Sequence, residues 1–204
     1  MGFYEEYILP HLVNLTMRNR RLRPYRERVI GAAQGRVLEI GVGSGLNLPL
    51  YPARVREIVA LEPSPRLLAM SRRLASGLSL QVKFIQGSAE IIPLKAGSID
   101  TVVTTWTLCT IPAVIEALHE MRRVLSPNGQ LLFVEHGLAP DKNVRKWQDW
   151  LTPAWKRIGG GCHLNRPIGA IVENAGFAIQ QLETGYMKGP KPMTFLYEGR
   201  ATLN

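Results

Sequence analysis

Cysteine is nearly absent: the chain has two, Cys109 and Cys162, among 204 residues. They outline no disulfide framework and no metal-ligand spacing, so no metal is expected. Two free thiols of a reducing compartment are the plain reading. Long apolar runs are absent too. The longest uncharged stretch, Thr101–Ile115, is rich in threonine and contains Pro112, which excludes a membrane-spanning helix there. The opening MGFYEEYILPHL places two glutamates and a proline where a secretory leader would be basic and then apolar. A cytoplasmic protein is expected. Acidic residues are scarce, 16 against 25 lysines and arginines. The resulting charge of +9 suits nucleic acid, an anionic membrane or an acidic ligand without choosing among them. The apolar fraction of 46% excludes a disordered chain.

What is present is alternation. Arg36–Ile40, Glu57–Glu62, Val82–Gln86, Ile99–Thr104 and Gln130–Glu135 read as apolar strands. Between the second and third, Pro63 breaks the chain, Ser64 can cap, Pro65 suits a first helical position, and Arg66–Gly77 carries apolar residues at helical spacing. Pro112–Leu125 is a second helix, ended by the turn Ser126–Gly129. Continuous apolar strands alternating with helices predict an open parallel sheet covered on both faces. The tail from Phe177 to Asn204 reads as two strands around Gly185–Pro192. That connection is too rich in proline for a crossover helix, so an antiparallel pair is expected. No repeat or linker interrupts residues 1–204, which read as one domain.

The first strand runs into LEIGVGSGLNLPLYP, with Gly41, Gly43 and Gly45 at alternate positions. In a doubly wound sheet, ligands sit beyond the carboxyl ends of the strands, and glycines let a loop approach them closely. The dinucleotide pattern G-x-G-x-x-G would need glycine at 46, where the chain has Leu46. Glu62, at the end of the second strand, can accept both hydrogen bonds of a ribose diol. Glu39 adds a second carboxylate beside the loop, which suits a cationic ligand and repels a pyrophosphate. A nucleoside-type cofactor without a required phosphate is the expectation.

Glu39–Gly45, Glu62–Pro63, Gly87–Glu90, Ile99–Asp100 and Arg122–Gly137 together resemble the class I methyltransferases that use S-adenosylmethionine. The resemblance implies a Rossmann-like doubly wound sheet of seven strands, mostly parallel with an antiparallel C-terminal hairpin. It implies S-adenosylmethionine as cofactor and S-adenosylhomocysteine as product. Gly41, Gly43 and Gly45 would close on the methionine and ribose parts, and Glu62 with Pro63 would border the ribose. Ser88, Ala89 and Glu90 would border the adenine, Thr104 and Thr105 would face the donor, and Glu39 would orient the loop or the amino group. Glu135–Gly137, Trp147–Arg166, Asn47, Tyr51–Pro52 and Leu108–Cys109 further resemble the small-molecule thiol methyltransferases of the methyltransferase-like seven group. That implies a small hydrophobic acceptor, most simply a thiol.

A thiol reacts as its thiolate, so a base or a positive field would help. His136 ends the fifth strand and titrates near neutrality, which makes it the first candidate. Its neighbour Glu135 could orient it or sit in the core. His163 is a weaker candidate. Cys162 is read as structural, because direct displacement needs no covalent intermediate. Trp147, Trp150 and Trp155 fall close to one helical face, broken by Pro153. Core packing and a hydrophobic acceptor wall are both open. The segment 138–170 is expected on the acceptor side. Residues 1–30 read as a helical lid. Their arginines, from Arg18 to Arg28, also suit a weak peripheral contact with anionic lipid. No nucleic-acid motif accompanies them, and no nucleic-acid partner is expected. Two rival functions are methylation of an amine or phospholipid headgroup, and a non-catalytic cofactor-binding module.

Overall fold

A computed structural model describes residues 2–204. The strands are β1 (Gly35–Ile40), β2 (Val55–Glu62), β3 (Val82–Gln86), β4 (Ile99–Thr105), β5 (Leu125–His136), β6 (Phe177–Tyr186) and β7 (Phe195–Leu203). They form one seven-stranded sheet in the order β3-β2-β1-β4-β5-β7-β6. β1 to β5 are parallel; β7 pairs antiparallel with both β5 and β6. The expected doubly wound sheet with its final hairpin is therefore present. β5 starts earlier than the sequence suggested, because the Ser126–Gly129 turn lies within the strand's hydrogen-bonded span.

The helices are α1 (Leu9–Met17), α2 (Arg23–Gly31), α3 (Pro65–Ala75), α4 (Val114–Val124), α5 (Lys142–Ile158), α6 (Ile168–Asn174) and the short α7 (Lys191–Thr194). The Ser64 side chain accepts from the Leu67 N–H and Pro65 opens α3, as their residue types dictate. Strand alternation then divides the core into two. Leu38, Val102, Leu131 and Phe133 face α4 and α6 through Leu118, Met121 and Val172. Val37, Val103, Leu132 and Val134 face α2 and α3 through Val29, Ile30 and Leu68. The strand order reverses between β1 and β4, and the crevice of such a sheet opens there at the carboxyl ends.

The N-terminal segment crosses that edge. A short helical turn, Tyr4–Ile8, leads into α1. Tyr4 donates to the Ile158 carbonyl at 2.6 Å, while Arg66 of α3 lies 4.1 Å from the Tyr7 ring centroid. The segment thus bridges α3 and the end of α5. Its Phe3, Leu12 and Leu15 are exposed. α5 runs through Pro153 without breaking. Core packing fails for two of its three tryptophans. Trp147 and Trp150 are 57% and 71% exposed, stacked edge to face at 5.5 Å, and only Trp155 is partly buried. Among the described residues no helix is long and apolar enough to cross a membrane.

Candidate active site at the carboxyl edge of the sheet

The loop after β1 is built by three glycines with φ of 68° (Gly41), 57° (Gly43) and 85° (Gly45). At Gly41 a Cβ would collide with the Thr107 side chain, 2.6 Å away. Gly43 differs: beyond the φ restriction, a Cβ there would meet nothing nearer than 3.9 Å. The loop therefore leaves an open cradle at its apex, of the kind a ligand fills. The Gly43 N–H is not aimed into it, since it donates to Glu62 Oε2 at 2.9 Å. Glu62 Oε1 accepts from Ser64 N–H at 3.0 Å. Each carboxylate oxygen keeps a further acceptor position, so a ribose diol can be held by the same group that shapes the loop. Burial raises the Glu62 pKa, against the two N–H groups that lower it.

Glu39 is fully enclosed. Its Oε1 accepts from Asn47 Nδ2 at 2.8 Å and its Oε2 from the Tyr51 hydroxyl at 2.9 Å. Asn47 also donates to Thr105 Oγ1 at 3.0 Å and accepts from Arg26 at 2.9 Å. Arg26 in turn lies 4.8 Å from the ring centroid of Trp106. Desolvation raises the Glu39 pKa to about 7 and lowers that of Arg26 to about 10. Both oxygens of Glu39 are engaged within the protein. Of the two roles expected for it, the geometry matches orientation of the loop.

The remaining residues expected beside the donor divide. Thr105 joins the loop through Asn47, whereas Thr104, fully buried, points to the other face of the sheet. Pro63 is exposed at the turn after β2. Ser88 is exposed and Ala89 buried in the loop after β3. Glu90 Oε1 accepts from Ala113 N–H at 3.3 Å, which turns it toward α4. Sequence reasoning missed Arg26 and Trp106. Trp106 has φ of 51°, the only non-glycine in the left-handed region among the described residues. Such strain concentrates at functional sites. No sequence pattern announces it.

At the end of β5, His136 is not a free imidazole. Its Nε2 lies 2.9 Å from Cys162 Sγ, and Nδ1 has no partner among the described residues. Cys162 Sγ is 3.6 Å from Cys109 Sγ. Burial lowers the His136 pKa, but the Cys162 hydrogen bond and charge raise it more. The Cys109 hydrogen bond pulls the Cys162 thiol below its ordinary range, against burial and with help from His136. Glu135 points away, as strand alternation requires. No hydrogen bond joins it to the imidazole; its Oε1 accepts from Thr107 N–H at 3.0 Å. His163 stands near the Cys109 carbonyl, its Nδ1 at 3.2 Å. Thr107 connects the two sides: it packs on Gly41, hangs from Glu135, and lies two residues before Cys109.

A family model described as a methyltransferase domain matches residues 38–133. The chain is 36% identical over 173 residues to the human protein named thiol S-methyltransferase TMT1B, covering 82% of this chain and 69% of that one. The rat protein of the same name is 36% identical over 151 residues, 72% of this chain and 62% of its own. A crystal structure from Thermotoga maritima, described as a SAM-dependent methyltransferase, superposes with a TM-score of 0.71 at 21% identity, covering 98% of each chain. The chain belongs to the class I S-adenosylmethionine-dependent methyltransferases. Within that class, it is similar to proteins named as thiol S-methyltransferases and spans 62 to 69% of their length. S-adenosylmethionine is its methyl donor.

The residues present fit that donor: a carboxylate with spare acceptor positions, an open glycine apex, and no basic phosphate clamp in the loop. Glu62→Ala removes one support of the loop, at Gly43, and one of the turn after β2, at Ser64, together with the ribose acceptor. It is expected to weaken S-adenosylmethionine binding at least about tenfold by calorimetric titration, given about 1.5–3 kcal/mol per charged hydrogen bond. Unchanged affinity would place the donor elsewhere.

Proposed function

We propose that this enzyme transfers the methyl group of S-adenosylmethionine to a small, apolar thiol. The observation that carries the reading is the sulfur-rich end of the site: an imidazole 2.9 Å from one buried thiol and a second thiol 3.6 Å beyond, at the end of β5. The similarity to proteins named for thiol methylation supports it. Methyl transfer from a sulfonium is an in-line displacement on an already activated carbon. The protein's work is alignment and keeping the acceptor sulfur ionised. Gly41, Gly43, Gly45, Glu62 and Pro63 hold the donor from the β1 and β2 sides, with Ser88, Ala89 and Glu90 at the β3 side. Glu39, Asn47 and Thr105 keep the loop and the end of β4 in register, with Thr104 packed on the opposite face.

His136 serves the acceptor through Cys162, which it touches, rather than as a solitary base. Glu135 is a positioning residue, acting through Thr107. The described residues of the 1–30 segment, 2–30, form a lid, and segment 138–170 shapes the acceptor side. The lid's exposed Phe3, Leu12 and Leu15, followed by arginines, favour a weak peripheral contact with anionic lipid, through which an apolar acceptor would arrive.

The test is transfer from labelled S-adenosylmethionine to a panel of alkyl and aryl thiols with matched amines and phenols. Selective labelling of thiols is the expected result. Labelling of amines, or of phospholipid headgroups on vesicles, would replace the thiol reading by the N-methyl one. Donor binding with no acceptor labelled would favour a non-catalytic module.

A further inference from the structure

Cys109, His136 and Cys162 form the one cluster among the described residues whose donor atoms could surround an ion. All three lie within 4.8 Å of one another. Cys109 leaves the loop after β4, His136 ends β5, and Cys162 follows α5. The backbone ties them, because His163 N–H donates to the Cys109 carbonyl at 2.9 Å and so fixes the Cys162 segment against the Cys109 loop. Cys109 and Cys162 are 1% and 8% exposed, and His136, partly exposed as a residue, keeps its Nδ1 buried.

As hydrogen bonding, this burial is poorly compensated. Thiols are weak donors and acceptors, and the His136 Nδ1 has no partner among the described residues. As a ligand set, two thiolates and an imidazole are what zinc takes at three-ligand sites that keep a fourth position open. With bonds of about 2.3 Å to sulfur and about 2.0 Å to nitrogen, a tetrahedral ion needs S···S of about 3.8 Å and S···N of about 3.5 Å. The S···S separation of 3.6 Å nearly meets this, and the S···N separation of 2.9 Å must open slightly.

We propose that Cys109, Cys162 and His136 bind a soft divalent cation of the zinc type, with the fourth position open to an acceptor thiolate. The acceptor part rests on the thiol reading above; the cation site does not. A metal-bound thiol is deprotonated outright. The acceptor's proton leaves to solvent on coordination. Its sulfur then donates an electron pair to the methyl carbon as the bond from that carbon to the donor sulfur breaks. The neutral thioether formed is a poor ligand and departs. The site sits where this is useful, because Thr107, two residues before Cys109, packs on Gly41 of the donor loop.

Cobalt(II) reports the site directly. The reduced 204-residue chain, stripped with a chelator, is titrated with cobalt alone. One equivalent with a sulfur-to-cobalt charge-transfer band is expected, displaced by zinc. Cys109→Ser, Cys162→Ser and His136→Ala should each weaken cobalt binding by at least about tenfold, whereas His163→Ala should not. Circular dichroism and S-adenosylmethionine binding show that each variant is folded. No stoichiometric band from the folded parent, or equal binding by all three variants, overturns the site. Benzyl thiol added without S-adenosylmethionine should strengthen the band as a third thiolate. Cobalt binding with no change on adding the thiol overturns the acceptor part. Labelled thiols in the transfer panel without cobalt binding overturn this inference and leave the thiol reading standing.

Discussion

Gly43→Val is expected to abolish detectable S-adenosylmethionine binding while leaving the fold in place. Two effects act together. Gly43 has φ of 57°, a conformation that a β-branched side chain adopts only at a cost of about 1–2 kcal/mol or more. The side chain would also project into the open apex, where no protein atom lies within 3.9 Å of an added Cβ. Space on that side means that packing does not suffer, so the damage falls on the ligand. Gly43→Ala separates the two effects, keeping the strain and filling less of the cradle. Calorimetric titration and thermal unfolding of both variants give the check. A valine variant that binds the donor normally would show that the cradle is not the donor site.

Asn47→Ala is expected to destabilise the protein by about 3 kcal/mol. Asn47 is 3% exposed and serves Glu39, Thr105 and Arg26 at once. Its loss leaves a buried carboxylate and a buried guanidinium short of partners, and breaking such a network costs about 3–5 kcal/mol. The defect carries a pH signature. The Glu39 pKa, about 7 in the folded chain against 4.5 for the free group, is raised, chiefly by desolvation. The stability that Glu39 contributes is therefore full below the unfolded value and is lost as pH rises through about 7. That span corresponds to about 3 kcal/mol. The Asn47 bond favours the charged form, so the defect in Asn47→Ala should be largest above pH 7 and smaller near pH 5. Glu39→Gln should flatten the decline. Urea unfolding across pH 5 to 8 measures all three chains. A pH-independent Asn47→Ala defect would show that Glu39 in the folded chain does not change its charge across this range.

The sheet and the glycine loop were legible because their determinants are local. Apolar runs mark β1 to β5, Ser64–Pro65 starts α3, and the Gly41–Gly45 spacing states a backbone need that only glycine meets. Proline near residue 190 argued against a crossover helix, and β6 and β7 are antiparallel. Where a strand end met a side-chain question, the period of two was decisive and only partly used. Thr104 and Thr105, like Glu135 and His136, cannot share a face, so one of each pair stands away from the site. The exposed Trp147 and Trp150 show the limit of helical spacing: it says which residues share a face, not what lies against that face.

By itself the sequence determined the class of fold and the nucleoside-type donor. Only the tertiary structure decided what surrounds each reactive group. Arg26 meets Asn47 from a separate helix, 21 residues away. His136 and Cys162 are 26 residues apart, and Cys109 and Cys162 are 53. Such meetings depend on strand order and on where a helix ends, and neither leaves a spacing in the chain. The two scarce cysteines spell no ligand motif in order, and lie side by side because the loop after β4 and the loop after α5 close over the end of β5.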